Sequence, residues 1–385
     1  MIVVIFLLVL GVLIFVHELG HYLVAIRNGI KAEEFGFGFP PRIFGVFKDD
    51  ETGKRKVVFG NKEVKSNNTI FSLNAIPLGG FVKIKGEDGE NKDSDSFASK
   101  PAWIRIKVLA AGVTMNFLLA WLLLAIVFSF GVPRAIDDNE PANGVSIQLS
   151  EVIKNSPAGK MGLSIGDTVL EIKNTKENET LNNIRKIKEV KDFINKNKGK
   201  QIEITVRRGN ETLLFQGVPR LDYPTDQGSL GVGLTRTAII KYPWYEAISE
   251  SLLAVLALTK LIVITLFTIL AKLVTGTKQS VDVAGPIGIA FMTKQVVAMG
   301  WVYLLQFTAM LSINLAIINA FPFPALDGGR ILFVLIEKIK GTPVSQKVEQ
   351  MAHTIGFSLL ILLMIFVTFK DFIHFQIINK IISFF

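Results

Sequence analysis

The chain has 385 residues, half of them hydrophobic, with a mean hydropathy of +0.43 and a formal net charge of +9. It contains no cysteine, which excludes a disulfide framework and thiolate ligation, so any zinc must be held by histidine and carboxylate. Basic residues are interleaved with acidic ones and no nucleic-acid motif occurs, so the positive balance fits a membrane surface and not nucleic acid.

The first predicted element, about 2–26, is apolar and long enough to cross the roughly 30 Å hydrocarbon core. It carries His17-Glu18-Leu19-Gly20-His21. Residues four apart on a helix share a face, so the two imidazoles can hold one zinc ion while Glu18 reaches a water on it. Ionisable groups inside a span cost about 2.5 kcal/mol or more, which makes a functional site the default reading. The bland alternative is a packed core histidine and a chance HExxH. Two of only four histidines at metal spacing inside a span weigh against it. The segment lacks a basic n-region and an A-x-A-like cleavage site, so it is expected to be retained.

The loop Arg27 to Lys107 is basic, as expected on the cytoplasmic side. Lys56–Val64 and Thr69–Lys85 read as strands around Pro77-Leu78-Gly79-Gly80-Phe81-Val82-Lys83. A hairpin dipping into the membrane needs its backbone groups paired by protein, and an extended substrate is one such partner. Gly79, Gly80, Phe81 and Val82 are therefore candidate substrate-binding residues, against the alternative of an ordinary surface hairpin. Further spans are predicted at about 104–130, 301–322 and 355–369, with Trp103, Trp121, Trp301 and Tyr303 as possible interface anchors.

Strand patterns at Val145–Ile153, Thr168–Ile172 and Ile202–Arg207, a helix near Ile184–Asn195 and a Gly209-Asn210 turn predict a compact α+β module. The apolar stretch 251–271 also has the texture of a span. If 131–240 is a domain on one side, however, a crossing at 251–271 would carry the end of the 301–322 span away from His17 and His21. It is therefore expected to be interfacial or re-entrant.

A catalytic zinc needs a third protein ligand. No HExxHxxGxxH continuation exists, Glu33 and Glu34 come too soon for a thermolysin-like ligand, and His353 and His374 lack a supporting pattern. Asp327 is the better candidate. It closes Asn319-Ala320-Phe321-Pro322-Phe323-Pro324-Ala325-Leu326-Asp327-Gly328-Gly329, where the prolines end a helix and the glycines let the backbone turn. The competing reading is a cap on the helix that follows.

Taken together, HExxH in the first span, Phe35-Gly36-Phe37-Gly38, Pro77–Lys83, Gly112 to Asn116 and Asn319–Gly329 resemble the bacterial site-2 proteases, in particular the regulator-of-sigma-E protease branch. Between them, Ser156 to Asp167 resembles the corresponding stretch of bacterial PDZ domains. Gly228-Ser229-Leu230-Gly231-Val232-Gly233-Leu234 resembles their carboxylate-binding loop, displaced as in circularly permuted forms, so Gly228, Leu230, Gly231 and Gly233 are candidate peptide-loop residues. The resemblance covers nearly the whole chain in order. Departures are Val113 in place of a common proline and a single PDZ-like module where some relatives have two.

The resemblance implies that His17, His21 and Asp327 bind Zn2+, that Glu18 is the catalytic acid/base, and that Asn319, with Pro322 and Pro324 beside it, helps hold substrate. The expected fold is a polytopic α-helical membrane protein of about four transmembrane helices with a membrane-associated β-hairpin region and an inserted α+β PDZ-like domain. Its expected parts are 1–130, an N-terminal membrane core; 140–238, PDZ-like; and 239–385, a C-terminal membrane core. The implied activity is intramembrane cleavage of single-pass transmembrane proteins, such as anti-sigma-factor-like regulators or signal-peptide remnants, in regulated intramembrane proteolysis. The implied place is the bacterial inner membrane, among lipid, with the PDZ-like domain outside the cytoplasm. The alternative is a PDZ-bearing membrane scaffold or holdase with a structural zinc site. Such a site closes with four protein ligands and has no need of Glu18.

Overall fold

The computed structural model describes residues 2–62, 64, 66–87, 93–209, 211–224, 227–275, 285–342 and 344–374. Residue 63 of the predicted 56–64 strand and Asn210 of the predicted turn lie outside these, as does the side chain of His374. The chain divides into two compact units, one of residues 1–124, 248–293 and 306–385, the other of 125–247 and 294–305.

The elements begin with α1 (Ile2–Arg27), β1 (Ala32–Lys48), β2 (Arg55–Phe59), β3 (Ile70–Ile84) and α2 (Ala102–Phe130). Next come β4 (Val132–Ala135), β5 (Ser146–Val152), α3 (Pro157–Met161), β6 (Thr168–Asn174), β7 (Thr180–Leu181), α4 (Ile187–Lys196), β8 (Ile202–Arg208), β9 (Glu211–Gly217) and β10 (Val232–Ile240). The chain continues with α5 (Trp244–Thr275), α6 (Pro286–Met299), α7 (Trp301–Ala320), α8 (Asp327–Lys340) and α9 (Gln346–His374).

In the first unit, α1 and α2 approach closely because Gly20 has no side chain: a Cβ there would lie 2.5 Å from the Ala111 carbonyl oxygen. Beneath this contact Ala25, Ile30, Ile84, Val108, Leu109 and Val334 form one core, so the helices and the end of β3 are fixed together. The sheet has the order β2-β1-β3. The first half of β1 pairs on both flanks with β3: Phe35 faces Phe71 on one side and Val82 on the other. Among the described residues, the outer arm Gly80–Ile84 is thus a sheet edge. Sequence reading missed β1, whose Gly36, Gly38, Pro40, Pro41 and Gly45 are turn signals by local propensity. The glycines instead admit neighbours, since a Cβ on Gly36 would lie 2.4 Å from the Phe81 ring.

The segment 251–271 does not turn back on itself. It lies within α5, an uninterrupted helix of 32 residues, about 48 Å long at 1.5 Å per residue. Re-entrance requires a break inside the bilayer, and α5 has none. Nor does it show the single apolar stripe of a surface helix. Val255, Leu258, Ile262 and Leu266 pack with Ala120 and Leu124 of α2 and Ile313 and Ile317 of α7, while Leu256, Leu261, Ile264 and Phe267 face outward. Among the described residues five helices, α1, α2, α5, α7 and α9, are long and apolar enough to cross a membrane. Between α5 and α7 lies α6, an apolar helix of 14 residues that the sequence pattern of spans does not show. With α6 in the path, the direction of α7 does not follow from α5 alone.

The second unit is an antiparallel sheet of seven strands in the order β4-β10-β5-β6-β8-β9, with β7 beside β6. Alternation dictates its core: Ile202, Ile204 and Val206 of β8 point inward with Ile147 and Leu149 of β5, against Val190, Phe193 and Ile194 of α4. The short α3 begins at Ser156, whose hydroxyl accepts the Gly159 N–H, and ends at Gly162 with φ +90°.

Candidate metal centre

Three side chains from two parts of the first unit converge. His17 and His21 lie one turn apart on α1, both buried. α7 ends at Ala320, just before Pro322 and Pro324, and the chain turns into α8, whose first residue is Asp327. Asp327 is not the cap of α8, because that position is Leu326 and no side chain caps it. The turn is tight. A Cβ on Gly328 would lie 2.3 Å from the Ala320 carbonyl oxygen, and one on Gly329 would lie 2.2 Å from that of Phe323.

The distances have the form of a coordination shell. His17 Nε2 and His21 Nε2 are 3.2 Å apart, and Asp327 Oδ2 lies 3.0 Å from the first and 3.4 Å from the second. Ligand atoms about 2.0–2.1 Å from a tetrahedral zinc are about 3.3 Å apart. Asp327 Oδ2 is buried and, among the described residues, receives no hydrogen bond in spite of these neighbours. A buried carboxylate oxygen without a donor is costly, and a cation removes the cost. The residues present therefore fit zinc. Among the described residues, no other cluster of histidine and acidic side chains has this arrangement.

The surroundings set the histidines' orientation. His21 Nδ1 donates to the Val108 carbonyl oxygen at 2.9 Å, which leaves Nε2 with its lone pair toward Asp327. Gly112 of α2 faces both rings: a Cβ there would lie 2.4 Å from His21 Nε2 and 2.7 Å from His17 Cε1. Only glycine fits. Asn116, one turn further along α2, is fully buried beside His17.

Glu18 is half-buried, and its Oε2 accepts the Val82 N–H at 3.1 Å. That N–H belongs to the edge arm of β3, so the structure brings Val82 beside the HExxH helix. Gly79 and Gly80 are buried next to it. Gly79 has φ +89°, and a Cβ there would lie 2.6 Å from the Ile14 side chain. Phe81 packs its ring over Gly36. Asn319 lies half-buried in the last turn of α7.

His353 does not join the three. Its Nδ1 accepts the Ala325 N–H at 2.8 Å and so holds the turn that presents Asp327. Sequence reading missed the roles of Val108, Gly112, Asn116 and His353. The four-residue spacing of the first three along one helix face was the available signal. In the second unit, Leu230 is buried and its carbonyl oxygen accepts the Ala158 N–H, while Gly228 and Gly231 have φ +65° and +77°. Gly233 pairs with Glu151 of β5.

A triad of two histidines and an aspartate with a glutamate beside it, set among helices of membrane length, is the geometry of a membrane-embedded metallohydrolase. The model of peptidase family M50 matches residues 5–55 and 53–363. The regulator of sigma-W protease RasP of Bacillus subtilis (strain 168) is 30% identical over 454 aligned positions, covering 96% of this chain and 97% of that protein. The zinc metalloprotease RasP of Bacillus licheniformis is 30% identical, covering 96% and 98%. A Clostridium perfringens protein named as a zinc metalloprotease is 35% identical over 371 positions, covering 95% and 97%. The chain belongs to peptidase family M50, the site-2 proteases. It is an integral membrane protein and a zinc metalloprotease.

Proposed function

We propose that this protein is an intramembrane endopeptidase that cleaves single-pass transmembrane proteins in regulated intramembrane proteolysis, with His17, His21 and Asp327 as metal ligands and Glu18 as acid/base. The observation that carries the reading is the triangle of Nε2, Nε2 and Oδ2, whose carboxylate oxygen, among the described residues, has no hydrogen-bond partner. Bound zinc supplies Lewis acidity and brings the pKa of a water toward about 7. Glu18 would carry the proton: its carboxylate would accept one as water adds to the peptide carbonyl and return it to the leaving amine nitrogen.

The Val82 N–H of the sheet edge is held by the Glu18 carboxylate and not by a neighbouring strand. A helical substrate exposes its peptide bond only when locally extended, and the arm Gly80–Ile84 offers such a strand a place to pair. Asn319, with Pro322 and Pro324 after it, borders the same turn as Asp327 and is assigned to holding the freed backbone. Substrates of the anti-sigma-factor-like or signal-peptide-remnant class suit this arrangement, since both present one apolar span.

The segment 140–238 is read as a permuted PDZ-like domain. On one side β10 pairs with β5 over Val232–Thr237, while on the other β4 reaches only Thr237–Ile240, which leaves edge donors beside the Gly228–Gly233 loop. Its assignment to the extracytoplasmic side of a bacterial inner membrane rests on the resemblance and on its place across the second span from the basic, cytoplasmic 27–103 loop; its own basic charge does not oppose this, since long domains translocate largely regardless of charge. Impermeant labelling of single cysteines in this cysteine-free chain tests the side.

The chemistry is tested by measuring zinc content together with cleavage of a model transmembrane segment in detergent. Glu18→Gln should keep one zinc per chain and lose cleavage, whereas Asp327→Ala should lose both. Full activity of Glu18→Gln would sink the mechanism.

A further inference from the structure

We propose that Asn116 is a positioning residue for the metal centre: its side-chain amide oxygen accepts the Nδ1 proton of His17 and fixes that imidazole with Nε2 unprotonated toward the metal. The inference rests on the zinc reading above and adds to it the group that selects the tautomer of one ligand.

The need arises from elementary imidazole chemistry. A neutral histidine carries one ring hydrogen, so a ring that offers Nε2 to a metal has its hydrogen on Nδ1 and must place that hydrogen somewhere. His21 places it on the Val108 carbonyl oxygen, 2.9 Å away, which can only accept. His17 has no such carbonyl. The group facing its Nδ1 is the amide of Asn116, with Nδ2 at 3.2 Å.

An amide nitrogen cannot accept a hydrogen, so this arrangement suits His17 with its proton on Nε2, where it cannot ligate. A half-turn of the amide exchanges nitrogen and oxygen at nearly the same positions. The oxygen is the atom that stands to gain. Among the described residues Asn116 Oδ1 has no hydrogen-bond partner, and it is buried in a residue with no exposed surface. Turned toward His17, it becomes the acceptor that the metal-binding tautomer requires.

The fold holds Asn116 for this task. Val108, Gly112 and Asn116 follow one another at four-residue intervals, so one face of α2 supplies the acceptor for His21, the space for both rings and the amide for His17. The backbone carbonyl of Asn116 in turn accepts the Ser312 hydroxyl of α7 at 2.8 Å, and Ser312 is itself fully buried. α7 is the helix that leads into the Asp327 turn. Removing an outer-shell partner of this kind typically weakens metal binding 10–100-fold.

The test uses the full chain in detergent with Co2+ replacing zinc, and reads the exchangeable, paramagnetically shifted Nδ1–H signals of ligated histidines by proton NMR, beside zinc affinity from chelator competition. The native protein should show two such signals, from His17 and His21. Asn116→Asp, which keeps an acceptor oxygen, should retain both signals and an affinity within about threefold of native. Asn116→Leu, of similar volume but without an acceptor, should keep the His21 signal, lose that of His17 to exchange with water, and bind zinc about 10–100-fold more weakly. The His21 signal reports that the site is still folded. Should Asn116→Leu not fold, Asn116→Ala takes its place. The proposal is overturned if the variant without an acceptor keeps both signals at native affinity, or if Asn116→Asp loses the His17 signal. Failure of the native chain to bind zinc at these residues would instead overturn the metal assignment.

Discussion

Asp327 in the first unit and Asp167 in the second are carboxylates withdrawn from water in opposite ways. Asp167, with no exposed surface, receives 2.7 Å hydrogen bonds from Arg208 Nε and Nη2 and a 2.9 Å bond from the Ser164 N–H. Asp327 has two imidazole nitrogens for neighbours and a buried oxygen with no donor. The first arrangement is complete and ties the Ser164–Asp167 turn to β8. The second is incomplete among the described residues, and a cation would complete it. Burial alone does not mark a functional carboxylate; the unanswered lone pair does.

The contrast is broken most directly by neutralising each carboxylate. Asp327→Asn should weaken zinc binding by on the order of 100-fold or more and should leave metal-free stability unchanged or raised, because it removes a buried charge without a donor. Asp167→Asn should leave zinc affinity unchanged and destabilise the second unit by about 2–3 kcal/mol, toward the low end for a buried pair because Arg208 is 29% exposed. Chelator competition and denaturant unfolding measure the two. An exchange of these outcomes would remove the distinction.

Two glycines sharpen it at the next level. A Cβ on Gly112 would strike His21 Nε2 at 2.4 Å, whereas one on Gly231 would strike the Ser156 side chain at 2.2 Å, at a φ of +77°. Gly112→Ala should therefore lower zinc affinity and cleavage about 10–100-fold by displacing the rings. Gly231→Ala should cost the second unit about 1–2 kcal/mol through the left-handed backbone and the contact, and leave zinc content unchanged. Native zinc affinity in Gly112→Ala would show that α2 can move aside.

The same contrast explains what was legible in the sequence. His17, Glu18 and His21 could be read because helical spacing places them together whatever the tertiary structure, and Pro322 and Pro324 announced a helix end before Asp327. That the two parts meet at 3.0 Å depended on resemblance, since no local pattern encodes a contact across 310 positions. β1 was lost because its glycines serve close approach by Phe81 and Ile70, a tertiary demand that local propensity reads as a turn. The continuity of α5 was obscured by an argument about crossings that left out α6. Asn116 had no assigned role because a buried amide takes its meaning from its partners.

The smallest effect concerns backbone strain. Among the described residues, the non-glycine positions with left-handed backbone are Asn178 and Asn183 in the second unit and Ala325 in the first, the last at φ +79°. Asparagine tolerates this region, whereas alanine pays about 1–2 kcal/mol for it. Ala325 lies two residues before Asp327, and its N–H is held by His353. Ala325→Gly removes the strain but adds about 0.5–1 kcal/mol of backbone entropy to be lost on folding. The net change in stability should therefore be a gain of about 0–1.5 kcal/mol. The looser turn should weaken zinc binding only a few-fold, because the His353 acceptor remains and Gly328 and Gly329 still pack against the carbonyls of Ala320 and Phe323. Denaturant unfolding and chelator competition on the one variant decide it. A loss of stability of about 0.5–1 kcal/mol, the entropy alone, would show that the left-handed alanine is unstrained where it sits, and a loss of zinc affinity beyond about tenfold would show that its rigidity is what presents Asp327.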